Sequence, residues 1–254
     1  MSKVSEIARG VGGAAAIAML CATAPGTTIA AVPFAEAQLF FELNDTDGDL
    51  GIHALIDGNA WKQLRIEDPD EREILFILAT GSLRRQGMTE FFFESAEPSF
   101  DDLRPEQFFR RFPAGTYEIS AVPRSGTELG SEVVVSHVMP APAGNISIGG
   151  QPAAENCDAA VLPKAPGNQT LTVSWAAVTT SHPEIGDPGN VTIAEYEVIV
   201  EADDVKLSAN LPPGQTQLQV PASFLALSDE WKLEILARAT NFNRTAVETC
   251  FTVD

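Results

Sequence analysis

The chain has 254 residues, of which 35 are acidic and 16 are basic, so its formal net charge is −19 at pH 7. Hydrophobic residues make up 44% of the chain, which is enough apolar mass to form packed cores and excludes a disordered protein. The acid excess excludes nucleic-acid binding, because a phosphate backbone is bound by clustered Lys and Arg, and it disfavours docking on anionic lipid.

The beginning of the chain has the pattern of a secretory signal peptide, which we assign to residues 1–37. Lys3 and Arg9 form a basic start, and residues 11–24 form a small, apolar and uncharged run. This run is shorter than the roughly 20 residues that span a bilayer. Small-residue cleavage sites follow at Ala30, Ala31 and Ala37, of which the A-x-A match at Ala37 is favoured. We therefore expect a secreted, periplasmic or cell-surface protein with no transmembrane segment in the mature chain, an uncleaved anchor being the alternative.

Two cysteines remain once the predicted signal peptide is removed, Cys157 and Cys250. Export would place them in an oxidising compartment, where an even number of cysteines favours a disulfide. The alternative is two separate buried thiols. The sequence therefore predicts one disulfide between Cys157 and Cys250.

A segment rich in Pro, Gly and Ala, residues 140–152, divides the mature chain into two blocks. Its composition is typical of a semi-extended linker. The blocks, residues 38–139 and 153–254, each have a common domain size. They share the acidity about evenly, so the net charge does not come from an acidic tail. We therefore expect two acidic domains joined by a linker.

The C-terminal block alternates in hydrophobicity as β-strands do. The alternating apolar residues are Leu171, Val173 and Trp175, then Tyr196, Val198 and Val200, then Trp231, Leu233, Ile235 and Ala237. Residues 241–244 predict a hairpin turn, since Asn tolerates positive φ. Short strands separated by turn residues are typical of an all-β sandwich.

The segments Leu-Thr-Val-Ser-Trp, Tyr-Glu-Val-Ile-Val and Trp-Lys-Leu-Glu-Ile-Leu-Ala-Arg-Ala-Thr-Asn, in this order, resemble a fibronectin type III domain. The resemblance covers roughly residues 158–254. It implies that Trp175 lies on strand B, that Tyr196 opens strand C, and that strand F begins at Trp231. Trp231 stands where the family has a tyrosine, and an indole has no hydroxyl to tie strand F to the loop before it. Residues 179–191 would form an enlarged loop between strands B and C.

The N-terminal block is also rich in predicted strands. They are Leu39–Leu43, Gly51–Ile56, Leu64–Ile66, Ile74–Ala79, Thr89–Glu94, Thr116–Val122 and Glu132–Val138. Pro105–Arg111 predicts a helical turn, with Pro at its start. The continuous apolar run Phe91–Phe93 predicts a strand that is buried on both faces. Phe112-Pro113-x-Gly115-Thr116-Tyr117 resembles the turn into a late strand of immunoglobulin-like modules, so we expect an immunoglobulin-like β-sandwich over residues 38–139.

The segment Asn44–Asp49 predicts a turn between two strands and is the most chemically distinctive part of the sequence. Asp45, Asp47 and Asp49 alternate as carboxylates do in loops that bind Ca²⁺ through oxygen ligands. The match to an EF-hand loop is partial, because Leu50 replaces the turn glycine and Ile56 the bidentate acid. The two interpretations are a calcium site and an ordinary turn rich in Asp, Asn and Gly.

No catalytic motif accompanies these features. His53, His137 and His182 lie in separate segments without metal-ligand spacing, and the sequence has no nucleophile elbow, P-loop or dinucleotide fingerprint. Pairs of acidic residues, such as those in the run from Glu67 to Glu71, are expected by chance in so acidic a chain and indicate a solvated face. We therefore expect a protein that is not an enzyme and needs no cofactor, Ca²⁺ being the one candidate.

The sequence thus predicts an exported, non-catalytic binding, adhesion or scaffolding protein of unknown protein or glycan ligand. The loops Asn44–Asp49 and 179–191 are the expected contact surfaces, because loops bind partners more often than strands do. One alternative is a carbohydrate-binding or accessory module of an extracellular glycan-processing system. A second is a structural subunit of a surface layer or fibre. The basic pairs Arg84-Arg85 and Arg110-Arg111 are expected to pair with nearby surface acids.

Overall fold

The computed structural model describes residues 30–254, so the basic start and the apolar run of the predicted signal peptide lie outside the described residues. In this part of the chain no helix is long and apolar enough to cross a membrane. The strands are β1 (Glu36–Asn44), β2 (Asp49–Glu67), β3 (Glu73–Leu78), β4 (Met88–Glu94), β5 (Gly115–Pro123), β6 (Leu129–Val135), β7 (Ser147–Ile148), β8 (Gln151–Pro152), β9 (Lys164–Ala165), β10 (Leu171–Ser174), β11 (Ile193–Ala202), β12 (Val205–Leu211), β13 (Gln217–Val220), β14 (Glu230–Ala239) and β15 (Arg244–Val253). The helices are α1 (Gly81–Gln86), α2 (Pro105–Arg111) and α3 (Ala222–Leu225). The structure confirms the prediction of an all-β chain with sandwich-like sheets.

Strand β2 organises the N-terminal half, residues 31–139. It pairs with β1 and β4 at its beginning and with β3 and β5 at its end. Its register shifts between Asp57 and Trp61, and such an irregularity bends a strand and increases its twist. At the bend, a Cβ on Gly58 would lie 2.9 Å from the ring of Phe34. Only glycine therefore leaves room for Phe34 to pack there, with 7% of its surface exposed.

Strand β4 is an edge strand that pairs with β2. Phe91 and Phe93 pack partly buried against the N-terminal core, whereas Phe92 is 56% exposed. The prediction that Phe91–Phe93 is buried on both faces is therefore wrong, because only one face of this strand is covered.

Two predicted local features of this half are present. Helix α2 has the predicted bounds, and it buries Phe108 and Phe109 against the core. The hydroxyl of the buried Tyr117 donates to the carbonyl of Pro113 at 3.0 Å. This bond holds the turn into β5, in the segment that resembles immunoglobulin-like modules.

The C-terminal half, residues 140–254, has the strand order of a fibronectin type III domain. One sheet contains β13, β10 and β7, and the other contains β12, β11, β14 and β15, which correspond to strands E, B, A and C′, C, F, G. Trp231 ties strand F to the preceding loop after all, because its indole N–H donates to the carbonyl of Ser228 at 3.0 Å. The indole N–H thus provides the tie that the missing tyrosine hydroxyl would make.

The segment expected to be a linker is built into the fold. Met139, Ala143 and Ile148 are buried, and Ile148 lies in β7, the first strand of the C-terminal sandwich. The buried residues form two large clusters that divide between Met139 and Ala143. The predicted division into domains stays a prediction, but residues 140–148 do not form a solvated spacer, since Pro140, Ala143 and Ile148 are buried and Ala141 and Ile146 pack against the C-terminal core.

A parallel strand pair joins the two halves into one sheet. Residues 42–44 of β1 pair with residues 244–246 of β15, so eleven strands from both halves form a continuous sheet. The turn before β15 contains Phe242 at φ 71°. The sequence predicts an Asn in this conformation, but Phe242 adopts it instead. The guanidinium of Arg238 lies over Phe242, 5.3 Å from the ring centroid.

We predict that a chain beginning at Gln38 is much less stable than one beginning at Val32. The longer chain keeps the buried Phe34, the bond from Phe34 N to Ser131 Oγ, and the pairing of Val32 with β6. Loss of a buried Phe costs about 3–5 kcal/mol. Thermal unfolding of the two chains measures this, with Phe34→Ala in the longer chain as the control. Equal melting temperatures would contradict the prediction and fit cleavage after Ala37, whereas a difference favours cleavage at Ala30 or Ala31.

Candidate binding site at the junction of the two halves

The two loops expected to contact ligands meet each other at the junction. His182, in the loop between β10 and β11, bonds Asp45, in the turn between β1 and β2, at 2.8 Å. His182 Nδ1 accepts the backbone N–H groups of Glu184 and Ile185, so its proton lies on Nε2 and is donated to Asp45 Oδ1. His182 is 8% exposed. This histidine therefore holds the loop in place rather than presenting itself to solvent.

The rest of the loop between β10 and β11 is fixed in the same way. Ile185 packs against the core of the N-terminal half. Gly186 has φ +81°, and a Cβ there would lie 2.1 Å from the carbonyl oxygen of His137. The backbone N–H of Asp187 donates to that same carbonyl at 2.9 Å. The loop is thus a strut between the halves, and only its outer side chains are free to contact another molecule.

The three carboxylates of the predicted calcium loop have different surroundings. Asp45 is bonded to His182, and Asp47 accepts a hydrogen bond from Asn44 Nδ2 at 3.2 Å. Asp49 is paired with Asn44 in the strand ladder. Within residues 30–254, no group of three His, Cys, Asp or Glu side chains is arranged to hold a metal ion. The calcium interpretation therefore rests on the loop sequence alone.

Asn243 is the central polar group of the junction, and it is 1% exposed. Its Oδ1 accepts the N–H of Phe41 at 3.0 Å, and its Nδ2 donates to the carbonyls of Ser136 at 2.7 Å and Val138 at 3.0 Å. Nearby, Thr245 Oγ1 donates to the carbonyl of Pro140 at 2.7 Å. One side chain of the C-terminal half thus satisfies backbone groups of both β1 and residues 136–138, which follow β6.

Acidic side chains line the outer face of the sheet beside this junction. We call Glu42, Asp49, Glu234 and Glu248 the seam acids. Burial, followed by the charge of Glu248, raises the pKa of Glu234 to about 7. Burial, followed by the charges of Glu97 and Asp47, raises the pKa of Asp49 to about 6. Burial also raises the pKa of Glu42, although His53 and Arg244 oppose the shift. Ionisation of these three carboxyl groups in the folded chain therefore lowers the free energy of unfolding.

A cleft opens next to the strut, with a cavity volume of about 370 Å³. Its lining residues are Pro105, Glu106, Phe109 and Arg110 of α2, together with His137, Glu184, Gly186 and Asp187. The ring of His137 lies against Phe109 with ring centroids 4.4 Å apart. Its Nε2–H donates to the carbonyl of Phe112 at 2.8 Å, and its Nδ1 lies 3.9 Å from Asp187 Oδ2. The cleft therefore presents three carboxylates against one guanidinium.

Cys157 and Cys250 are joined in the structure, with their Cα atoms 4.7 Å apart. Cys157 lies in an exposed turn between β8 and β9, and Cys250 lies in β15. A larger cleft of about 640 Å³ lies beside them. Its one basic side chain, Lys232, is already paired with Glu201 at 3.1 Å.

The sequence does not reveal the roles of several residues. It predicts that Asp68 belongs to a solvated acidic run, but Asp68 is 4% exposed and accepts the backbone N–H groups of Asp70 and Arg72. Burial acts to raise the pKa of Asp68, but the hydrogen bonds from Arg72 and Asp70 outweigh it and lower that pKa. Asn243 gave no local signal. An apolar Ile inside a polar loop was the one sign that the loop is partly buried.

Comparison with known proteins shows distant likeness to solved structures. No family model matches the sequence, and no curated protein matches it. A bacterial ice-binding adhesin structure is 12% identical, with a TM-score of 0.26, over 89% of this chain and 66% of that one. A two-domain fibronectin type III segment of chicken tenascin is 10% identical, with a TM-score of 0.29, over 85% and 99%. The fibronectin III array of RIM-binding protein is 13% identical, with a TM-score of 0.28, over 80% and 58%.

This chain spans just under two thirds of the adhesin chain and somewhat over half of the RIM-binding protein chain. Because the TM-scores are low, the fibronectin type III assignment rests on the strand order within this structure.

We predict that Asn243→Ala destabilises the protein by about 2–4 kcal/mol, because it leaves the N–H of Phe41 and the carbonyls of Ser136 and Val138 without their buried partner. Chemical denaturation measures the loss. Asn210→Ala, on the exposed face of β12, is the matched control and should change stability little. Similar effects of the two substitutions would contradict the central position of Asn243.

We predict that Glu234 and Asp49 stabilise the folded chain increasingly as the pH falls from 8 to 5. With pKa values raised to about 7 and about 6 in the folded chain, Glu234 and Asp49 bind protons there that the unfolded chain does not bind in this range, so acidification favours folding. Glu234→Gln should raise stability at pH 8 by about 1–2 kcal/mol and flatten the pH dependence. Thermal melts at several pH values check this, with the exposed Glu230→Gln on the same strand as control. A profile unchanged by Glu234→Gln would contradict it.

Proposed function

We propose that this is an exported, non-catalytic binding protein of the adhesion or scaffolding type, and that the cleft beside α2 is its ligand site. The observation that carries the proposal is the cleft's construction: its walls come from both halves of the chain, and the strut of residues 182–187 fixes one wall against the other. A preformed site loses little conformational entropy on binding.

The chemistry of the cleft favours a basic side chain of a protein ligand. Glu106, Glu184 and Asp187 supply carboxylates, none of which forms an ion pair with Lys or Arg within residues 30–254. A Lys ammonium or an Arg guanidinium has only donors to offer. The size of the cavity, about 370 Å³, suits one such side chain and its neighbours.

A glycan is the weaker candidate for this site. Sugar rings stack on exposed aromatic faces, and Phe109 is only 8% exposed because His137 already covers it. The acceptors of the cleft are also mostly charged, whereas neutral sugars present both donors and acceptors.

The proposal predicts saturable binding of an acetylated tri-lysine amide by the full protein, measured by calorimetry, with no heat from the tri-glutamate counterpart. Asp187→Asn combined with Glu184→Gln should weaken binding about fivefold to tenfold. Asp203→Asn combined with Asp204→Asn, which removes two charges from the distant turn between β11 and β12, is the control for non-specific attraction by an acidic protein.

Three results would overturn the proposal. Equal weakening by the two double variants would mean that net charge alone attracts the peptide. Selective glycan binding that the cleft variants abolish would favour the accessory-module alternative. Turnover on a panel of hydrolase substrates that one acid-to-amide change abolishes would make the protein an enzyme.

A further inference from the structure

The N-terminal half leaves one long edge of its sheet open. Strands β3 and β4 both pair with the same side of β2, and within residues 30–254 neither has a second strand partner. An open edge presents unpaired backbone N–H and C=O groups, which another extended chain can pair with. Such hydrogen bonds select a β-strand as the occupant.

Exposed apolar side chains concentrate along this edge. Phe76 and Leu78 on β3, Leu83 on α1 and Phe92 on β4 are 45–56% exposed, and they are half of the large hydrophobic residues exposed in the described chain. Natural proteins usually protect such edges with charge, proline or bulges. An edge with this many exposed apolar side chains is therefore a candidate interface.

Strand β4 is held rigidly enough to act as a template. Phe91 and Phe93 pack against the core, and the β4 ladder with β2 runs from Glu90 to Glu94 without a register shift. Phe92 lies opposite Leu55 on the outer face and contacts His53 edge-on, with ring centroids 6.2 Å apart. The free edge thus has a fixed shape before any partner arrives.

The charges along β4 change sign from one end to the other. Arg84 and Arg85 precede the strand in α1, whereas Glu90 and Glu94 lie within it and at its end. None of the four forms an ion pair within the described chain. An antiparallel copy of the same strand reverses this order, so Arg84 and Arg85 of one copy lie toward Glu94 at the far end of the other, whereas Glu90 lies near the twofold axis.

We propose that two copies of this chain pair through β4, antiparallel and about a twofold axis, to form a symmetric dimer with a continuous sheet. A twofold contact uses the same patch on both copies, which is what the reversal of charge along the strand provides. The interface is separate from the cleft beside α2. Edge pairing of one short strand buries little surface, so the dimer forms reversibly and at high protein concentration.

The test is sedimentation velocity of the full protein over a concentration series at physiological salt, where screening shortens the reach of the net negative charge to roughly 8 Å. We expect the mass to rise from that of one chain toward twice that value. The variant Arg84→Glu with Arg85→Glu should stay monomeric, and so should Glu94→Lys. An equimolar mixture of the two variants should regain the dimer, because the contacts of residues 84 and 85 with residue 94 are again between opposite charges in the unlike pair.

Circular dichroism of each variant establishes that the fold is kept, and Asp187→Asn in the cleft should leave the dimer unchanged. The proposal is overturned if the wild-type protein stays monomeric throughout. It is also overturned if either charge variant dimerises as the wild type does, if the mixture fails to dimerise, or if a ladder of larger species appears, since that indicates open-ended pairing.

Discussion

The three-residue parallel pairing of β1 with β15 is the interaction on which the rest of this structure depends. Each half has its own buried cluster, and each could be described as a separate sandwich, but this short ladder makes them one sheet. Three ladder pairs alone would be a weak joint between two domains. Asn243 strengthens it by satisfying groups on β1 and on the segment after β6 with one buried side chain. Phe242, the residue immediately before Asn243, is held at positive φ, an uncommon conformation for a bulky residue. Such a conformation persists only where surrounding structure holds it, and here the guanidinium of Arg238 lies over the ring of Phe242.

The contacts at this joint fix the loops on either side of it in place. A long loop between strands B and C normally projects from the end of a sandwich and is free to bind. Here His182 is bonded to Asp45 in the first turn of the other half, and Ile185 packs against the core of that half. Gly186 lies directly against the carbonyl of His137. Immobilising the loop removes it as a flexible contact surface and creates a fixed wall for the cleft beside α2. Rigidity between the halves and the presence of a preformed cleft are thus two consequences of the same contacts.

The acidity of the chain has two different physical roles. Most carboxylates lie on the surface, where water and salt screen them and they keep the protein soluble. The seam acids are partly withdrawn from water, and the charge of Glu248 adds to the burial cost at both Glu234 and Asp49. The joint is therefore the place where the net charge opposes the fold most directly. Lys232 and Arg244 offset part of this cost by pairing with Glu248 and Glu42.

The sequence by itself determined the local structure of this protein. Alternating apolar residues located most strands, Pro105 with Glu106 located α2, and the order of aromatic and aliphatic segments indicated the fibronectin type III sandwich, because these patterns reflect which face of each element is buried. Residues 140–152 were harder to interpret, because Pro and Ala are equally common in solvated linkers and in packed segments. Only the tertiary structure decided that His182 binds Asp45, that Asn243 joins the halves, and that Phe92 faces solvent on an open edge. Those contacts join residues far apart in the chain, and a sequence pattern records the polarity of a side chain but not its distant partner.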